Sequence, residues 1–162
     1  NAKIIYISSQ SADENSCSNY GKIKYQIEEV AKKFNAFIIR PGLIYDSNSQ
    51  LGLFGSIEKI VKKMPILLVP NGLKKKINLC NISVLFEKIN RILLDNNNEH
   101  KVSLYEDEKY TLVELVNKIA KLNNRKIIII KINYQFIFYP LKFLEIINIK
   151  LKIKSDSLKS LL

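Results

Sequence analysis

Tyr20 and Lys24 form the residue pair whose types and spacing in this sequence best suit chemistry. Four residues apart on a helix, their side chains project from the same face. Tyrosine is ordinarily a weak base, but a neighbouring ammonium favours its phenolate form, so the pair suits the removal of a proton from an alcohol. A nearby hydroxyl, from Ser8 or Ser9, could hydrogen-bond the alcohol oxygen and hold it in place. In a chain this rich in lysine, the same spacing also fits an ordinary solvated helix face.

A strand, a helix and a second strand are predicted around this pair. Residues 4–7 are a continuous apolar run before Ser8, typical of a buried parallel strand that opens onto a polar loop. Residues 36–39 predict a second buried strand, stopped at residues 40–42 because proline cannot continue a central ladder. This order predicts a parallel crossover, and ligands bind at the carboxyl ends of strands in such sheets. Apolar side chains at helical spacing predict that the intervening helix faces the core through Tyr20, Ile23, Ile27, Val30, Ala31 and Phe34.

Mixed helices and strands are predicted for the remainder of the chain. Thr111 is a candidate N-cap, with Glu114 three residues later in the position of a capping box. Pro140 is expected to divide the last apolar stretch. The predicted elements are a polar loop at 47–55, helices near 56–63, 82–94, 112–122 and 141–147, and strands at 66–69, 101–105 and 127–132.

Four segments occur in a characteristic order: IIYISS at 4–9, YGKIK at 20–24, Glu28, and IIRPGLIY at 38–45. Together they resemble the extended short-chain dehydrogenase/reductases, the NAD-dependent epimerase/dehydratase family. The resemblance is specific from residue 3 to residue 45 and looser beyond it. It implies an α/β fold, with the C-terminal part of a Rossmann-type parallel sheet and a small α+β substrate lobe. It also implies NAD or NADP as cofactor and a nucleotide sugar as substrate.

The resemblance assigns a serine, a tyrosine and a lysine to the catalytic set, at Ser9, Tyr20 and Lys24. The serine stays open between Ser8, Ser9 and Ser11, since all three follow the first strand and Gln10 occupies the family's third loop position. The implied cofactor contacts are Ser8, Tyr20, Lys24, Arg40, Pro41 and Gly42. The implied substrate contacts are Ser11, Gly52, Phe54 and Gly55.

For two glycine-containing segments, the implied cofactor and substrate contacts also have a physical basis. Gly42 would let the backbone approach a nicotinamide closely, although a plain turn is the alternative. Residues 52–55, ahead of a helix, could offer free N–H groups to a pyrophosphate, and a flexible loop explains them equally well. Lys74, Lys75 and Lys76 are better explained as solvated edge protection than as a diphosphate site.

The sequence departs from the family pattern in three places. Asp46 stands where a glycine is usual, and residues 78–83 lack the usual His and Asp. The 5 glycines, at 21, 42, 52, 55 and 72, include no glycine-rich fingerprint for the pyrophosphate of a dinucleotide. We therefore expect residues 1–46 to be the catalytic half of a nucleotide-binding domain whose first half lies outside this sequence. Residues 47–162 are expected to be mostly substrate lobe with interleaved Rossmann elements.

Composition and residue spacing argue against nucleic-acid binding, a metal site and membrane insertion. The net charge of +11 comes mainly from scattered lysines, and no cluster of arginine with aromatic residues predicts nucleic-acid binding. Cys17, Cys80 and His100 lack the spacing of a metal site. Lys131 and Lys142 interrupt the apolar stretch near the end, which argues against membrane insertion. A cytoplasmic location is expected, and the resemblance is compatible with a homodimer.

Epimerisation of a nucleotide sugar, in surface polysaccharide biosynthesis, is the first functional hypothesis. A reductase of the same family would need the same three residues. A non-catalytic relative that keeps the fold for binding or scaffolding remains open because of the missing fingerprint and the altered segment 78–83.

Overall fold

Three small sheets and five helices make up the part of the chain that the computed structural model describes, residues 2–46, 52–94 and 100–146. The strands are β1 (Ile5–Ile7), β2 (Phe37–Pro41), β3 (Leu43–Tyr45), β4 (Ile66–Pro70), β5 (Ile77–Asn81), β6 (Lys101–Leu104), β7 (Lys109–Tyr110) and β8 (Ile128–Ile132). The helices are α1 (Asn19–Lys33), α2 (Gly52–Lys63), α3 (Ile82–Leu94), α4 (Leu112–Leu122) and α5 (Tyr134–Ile146). The predicted α/β class is confirmed.

The first sheet has the order β1-β2-β6, and both of its strand pairs are parallel. Helix α1 joins β1 to β2, so the predicted strand, helix, strand unit is confirmed. β6 enters this sheet from the later part of the chain and pairs with β2 along its whole length. β1 is an edge strand, and both Ile7, its last residue, and Ile4, which precedes it, are exposed. The prediction of a buried strand is wrong for those two residues because no second strand neighbour covers β1 in the described residues.

Pro41 is the last residue of β2, the central strand of the first sheet. The prediction that this strand stops before Arg40 is wrong by two residues. Along β2, Phe37 donates its N–H towards β1 and Ile38 donates towards β6, and this direction alternates from residue to residue. The nitrogen of Pro41 therefore faces the β1 side, where β1 has already ended. The absent N–H of proline removes no ladder hydrogen bond there.

Helix α1 begins after Ser18, whose side chain accepts a hydrogen bond from the Gly21 N–H at 3.1 Å. A serine N-cap satisfies one of the free N–H groups of the first turn. The chain leaves the helix through Asn35, which has a left-handed φ of 51°. Asparagine tolerates that conformation better than most residues.

The apolar stripe of α1 does not face the core of the described residues, which corrects the sequence prediction. The helix is buried at Gly21 and Glu28 instead. Helical spacing identifies side chains that share a stripe, but the sheet packs against the neighbouring face of this helix. The stripe residues, all between 42% and 66% exposed, are Tyr20, Ile23, Ile27, Val30 and Phe34.

Two hydrophobic clusters hold the rest of the fold together. Alternate side chains of a strand point to opposite faces, and Leu79 of β5 accordingly belongs to one cluster and Cys80 to the other. The first cluster contains residues of α2 and α4, and the second contains Ile39 of β2 with residues of α3. The sheet of order β3-β5-β7 thus connects the first sheet to the helices of the second half. The third sheet pairs β4 with β8 in parallel.

Several later elements agree with the sequence. Helices α3 and α4 have the predicted bounds, and Thr111 and Glu114 form the predicted capping box at the start of α4. Helix α2 begins at Gly52, four residues before the predicted start. Helix α5 continues through Pro140, so the prediction that this proline divides the segment is wrong. The strands β3, β5 and β7 were not predicted, and β7 has only two residues, which are too few to show a period.

Within the described ranges, none of the helices is both long and apolar enough to cross a membrane.

The close packing around Gly21 predicts that alanine at this position destabilises the fold, which is the opposite of what helix propensity predicts. A Cβ at this position would overlap the Ser11 carbonyl oxygen and lie 2.7 Å from the Ser16 Cβ. Gly21→Ala should therefore destabilise the fold by roughly 1–3 kcal/mol, although helix propensity alone favours alanine by about 1 kcal/mol. Urea denaturation of the variant and the native chain measures the difference. Lys22→Ala, at the exposed next residue, should change stability by less than about 0.5 kcal/mol, and a Gly21→Ala variant as stable as the native chain would contradict the packing.

Candidate functional site

Lys24 lies at the carboxyl end of β1, as predicted. Its Nζ donates a hydrogen bond to the Ile7 carbonyl at 2.9 Å. The same nitrogen is 4.9 Å from the centroid of the Tyr6 ring and 5.8 Å from that of the Tyr20 ring. An ammonium within about 6 Å of a ring centroid is attracted by the ring. Tyr20 remains 49% exposed, so a positive charge and a half-exposed tyrosine lie together at the strand end.

The Tyr6 ring lies next to this ammonium. Tyr6 was not identified as a site residue from the sequence. Its hydroxyl is buried and has no hydrogen-bond partner among the described residues. Burial, followed by the nearby charges of Glu28 and Tyr20, raises the pKa of Tyr6 above its usual value of 10.0. Tyr6 therefore stays neutral at physiological pH, and its ring contributes attraction to Lys24 without a formal charge.

The three candidate serines have different surroundings. Ser8 is only 4% exposed, and its Oγ donates to Glu28 Oε1 at 2.5 Å. Ser9 and Ser11 are half-buried in the loop beyond β1, where the Ser11 N–H donates to Ser9 Oγ at 3.2 Å. The Ser8 hydroxyl is thus committed to Glu28, whereas the Ser9 hydroxyl stands in the loop at the strand end.

Glu28 is a fully buried carboxylate, one helical turn beyond Lys24. Arg40 binds it with two hydrogen bonds of 2.7 Å, from Nε to Oε1 and from a terminal nitrogen to Oε2. Lys101 of β6 adds an ion pair at 3.3 Å. Burial would raise the pKa of Glu28, but the hydrogen bonds from Arg40 and Ser8 and the charges of Arg40 and Lys101 outweigh it and lower the pKa below its usual 4.5. The carboxylate is therefore ionised and satisfied inside the protein.

This arrangement gives Arg40 a different environment from the one expected of a cofactor contact. A guanidinium can donate two parallel hydrogen bonds to one carboxylate, and Arg40 binds Glu28 in this way. The sequence contained one signal for this pair: an acidic residue on the same helix face as Tyr20 and Lys24, followed by an arginine in the next strand. Both residues belong to the segments that carry the family resemblance, but their pairing was missed.

Gly42 is required by the protein backbone itself. A Cβ at this residue would lie 2.5 Å from the carbonyl oxygen of Asn78 and 2.9 Å from its carbonyl carbon. The Gly42 N–H donates to the Leu104 carbonyl at 2.9 Å, which keeps it in line with β6. Pro41 is buried, and its carbonyl accepts from the Gln10 N–H at 3.3 Å. Gly42 therefore lies against the backbone of β5, and the predicted approach of this glycine to a nicotinamide stays a prediction.

Two positions that depart from the family pattern are in contact with each other. The Asn78 side-chain amide donates to Gln10 Oε1 at 2.7 Å. Gln10 follows β1 and Asn78 lies in β5, so the bond connects the loop of the first sheet to the second sheet. Neither residue was predicted to contact the other, because they are 68 residues apart in sequence.

The predicted substrate contacts at residues 52–55 form the first turn of α2 and do not precede a helix. Gly52 has a left-handed φ of 69°. The first four N–H groups of a helix have no partner inside it, so the donors expected of residues 52–55 lie in this turn. Phe54 packs on Tyr45 with 5.4 Å between ring centroids, and the Tyr45 hydroxyl donates to Glu106 Oε1 at 2.7 Å. This turn therefore packs against Tyr45, whose hydroxyl belongs to a second group of hydrogen-bonded polar side chains.

Neither a protein-family model nor a curated protein matches the sequence. Solved structures do match it. One is dTDP-4-dehydrorhamnose reductase of Bacillus anthracis strain Ames in complex with NADP, with TM-score 0.69 and 16% identity over 98% of this chain and 63% of that chain. Another is UDP-glucuronic acid 4-epimerase of Bacillus cereus in complex with UDP-glucuronic acid and NAD, with TM-score 0.61 and 16% identity over 81% of this chain and 48% of that chain.

A third similar structure is dTDP-glucose 4,6-dehydratase of Bacillus anthracis strain Ames in complex with NAD, with TM-score 0.62 and 13% identity over 98% of this chain and 59% of that chain. The chain thus spans about half to three-fifths of the length of these enzymes. At this level of identity the likeness concerns the fold. The chain has the Rossmann-type α/β fold found in these nucleotide-sugar enzymes, which agrees with the fold class that the sequence predicts.

The buried cluster around Glu28 gives a stability prediction. Glu28→Gln should lower the free energy of unfolding by about 3 kcal/mol, because Arg40 would lose its charged partner in a mostly buried position. Ser8→Ala, which removes one hydroxyl from the same carboxylate, should lower it by about 1 kcal/mol. Urea denaturation of both variants checks the order. Equal losses in the two variants would contradict a buried ion pair.

The lowered pKa of Glu28 gives a pH dependence of known sign. A carboxyl group with a lower pKa in the folded state than in the unfolded state stabilises the fold above its unfolded pKa, and this contribution is lost as the pH falls through its folded pKa. We expect the free energy of unfolding to decrease as the pH falls below the usual value of 4.5. The decrease should be smaller in Glu28→Gln. Denaturation at a series of acidic pH values measures both curves, and parallel curves would exclude this source of acid sensitivity.

Proposed function

We propose that this chain carries the catalytic part of an NAD(P)-dependent oxidoreductase that acts on a sugar carbon of a nucleotide sugar, with Ser9, Tyr20 and Lys24 as its catalytic residues. One observation carries the proposal: the Lys24 ammonium is held on the Ile7 carbonyl at 2.9 Å beside Tyr20, which remains 49% exposed. Ligands of parallel α/β sheets bind at this carboxyl end. Epimerisation is the first form of the reaction, and reduction is the second.

The residues at the strand end fit the nicotinamide end of such a cofactor. Within the described residues, the Lys24 ammonium donates one hydrogen bond, to Ile7, and keeps N–H groups for ribose hydroxyls. Backbone of Pro41 and Gly42 stands at the carboxyl end of the adjacent strand. When bound, NAD(P) would accept or return the hydride of the sugar carbon. Its pyrophosphate and adenosine parts lie beyond what these residues could hold.

The chain's own residues would handle the proton. Tyr20, as phenolate, takes the proton of the sugar hydroxyl while the same carbon gives up its hydride and becomes a carbonyl. The Lys24 ammonium stabilises the phenolate by its charge, and the Ser9 hydroxyl donates a hydrogen bond to the sugar oxygen throughout. In the reverse direction Tyr20 returns the proton. An epimerase uses both directions on opposite faces of the sugar, whereas a reductase uses only the second.

Substrate contacts are proposed at a separate group of residues. The first turn of α2, with Gly52, Phe54 and Gly55, would give its free N–H groups to the diphosphate, and Ser11 would contact the sugar from the loop. The positive net charge of +11 would draw a diphosphate towards the protein. The similar enzymes with dTDP- or UDP-linked names support a nucleotide sugar as the substrate class.

A second candidate is a relative that keeps the fold for binding without turnover. It is favoured by the hydrogen bond between Gln10 and Asn78, which joins two departures from the family pattern next to the strand end. Such a protein would bind NAD(P) or a nucleotide sugar without exchange of hydride.

The proposal is tested by Tyr20→Phe in the protein as its gene encodes it. Single-turnover hydride transfer is followed by the absorbance of reduced nicotinamide, with UDP-glucuronic acid, dTDP-glucose and dTDP-4-dehydrorhamnose as probes. Transfer should fall at least about 100-fold because the proton acceptor is gone, while binding of the sugar nucleotide is retained. Tyr25→Phe, which removes the same hydroxyl one turn away, should leave the rate unchanged. Undiminished transfer in Tyr20→Phe would exclude this catalytic role.

A further inference from the structure

Three side chains from three consecutive elements meet in one buried cluster, which we name the Ser8–Glu28–Arg40 cluster. Ser8 follows β1, Glu28 lies in α1 and Arg40 lies in β2. The contacts are 2.5 Å from Ser8 and 2.7 Å for each of the two bonds from Arg40. Glu28 is fully buried and Ser8 is 4% exposed. The proposed chemistry uses none of these three side chains directly.

The spacing connects this cluster to the candidate catalytic pair. Tyr20, Lys24 and Glu28 are at positions i, i+4 and i+8 of the same helix, and residues four apart lie on neighbouring turns of one face. With a rise of about 1.5 Å per residue, Tyr20 is about 12 Å from Glu28 along the helix axis. Glu28 contacts the residue after β1 and Lys24 contacts the last residue of β1. Both contacts therefore define where α1 stands relative to the end of this strand.

In the described residues, apolar contacts contribute little to the position of α1 relative to β1. The apolar stripe of α1, including Ile23, Ile27 and Val30, is exposed. The buried side of the helix offers Gly21, which has no side chain, and Glu28. Hydrophobic contacts are non-directional, whereas a two-point bond between a guanidinium and a carboxylate has a fixed geometry. Arg40 lies in β2, which pairs with β1, so a shift of α1 along this sheet would break that bond.

We infer that Glu28 is a positioning residue that holds α1 in register with β1, so that Lys24 stays on the Ile7 carbonyl and Tyr20 stays at the substrate. Arg40 and Ser8 act as its partners. This inference rests on the proposed function for its catalytic consequence. Its structural content, the position of Lys24, can be measured without turnover.

The first measurement is the side-chain NMR signal of Lys24 in the protein labelled with carbon-13 at lysine Cε, assigned by its loss in Lys24→Arg. The Tyr6 and Tyr20 rings, at 4.9 and 5.8 Å, displace this signal by their ring currents. Ser8→Ala and Glu28→Gln should move it towards the position of a free lysine. Ser8→Thr, which retains the hydroxyl, should keep the native value.

The second measurement is single-turnover hydride transfer with the same three probes. A small displacement of catalytic groups slows reactions steeply, so Ser8→Ala should reduce the rate roughly tenfold and Ser8→Thr should restore it. Thr111→Ala is the matched control for a general loss of stability. It removes a hydroxyl and a methyl group from the capping box of α4, and it should change neither the NMR signal nor the rate.

A Lys24 signal that stays at its native position in Ser8→Ala and in folded Glu28→Gln would overturn the inference. Ser8→Ala should fold because Arg40 still binds Glu28, and it removes the contact of Glu28 with the end of β1, so it decides the matter even if Glu28→Gln does not fold. A rate that falls equally in Thr111→Ala would also overturn it. If the native protein transfers no hydride to or from any probe, the proposed function fails, and the NMR signal still decides whether the cluster positions Lys24.

Discussion

A carboxylate without solvent contact is the constraint on which this structure depends. A buried charge is strongly unfavourable unless it is paired and hydrogen-bonded, and Glu28 meets this requirement with Ser8, Arg40 and Lys101. Ser8 directly follows β1, Arg40 lies in β2 and Lys101 lies in β6, so the partners involve all three strands of the first sheet, while Glu28 itself comes from helix α1. The requirement of one side chain thus coordinates four elements.

The same end of the sheet separates two electrostatic environments. Glu28 and Arg40 neutralise each other inside the protein, whereas Lys24 stands at the strand end with its charge shared between a carbonyl and two aromatic rings. Arg40 is occupied by Glu28, so the positive charge at the strand end beside Tyr20 is supplied by Lys24. In the proposed function this division would keep the inner pair ionised and leave the outer pair to meet the substrate.

Gly21 and Gly42 lie at two places where neighbouring atoms leave no room for a Cβ. Gly21 allows the loop with Ser11 and Ser16 to lie against the start of α1, and Gly42 allows the chain to pass over the backbone of β5 at Asn78. The second approach joins the first sheet to the second, where β3 begins. Fold alone does not imply function, so the functional proposal rests on Tyr20 and Lys24 at the end of β1 and not on the likeness in fold.

Local pattern in the sequence was enough to identify much of the structure. The apolar run before Ser8, the helical spacing after Tyr20 and the capping box at Thr111 depend on neighbours within a few residues, and each predicted an element that the structure contains. The four-residue spacing of Tyr20 and Lys24 placed both on one helix next to a strand end for the same reason. Very short strands such as β7 escaped prediction because two residues carry no period.

Tertiary structure alone decided which faces are buried and which distant groups meet. The stripe containing Ile23 and Ile27 is exposed, since periodicity reveals a stripe but not the element that packs against it. The Gln10 contact with Asn78 and the binding of Glu28 by Arg40 join different elements. Such contacts depend on how the helices and sheets pack together, which is a non-local property. The sequence therefore determined the elements and their candidate chemistry, and the packing of those elements determined which side chains share one site.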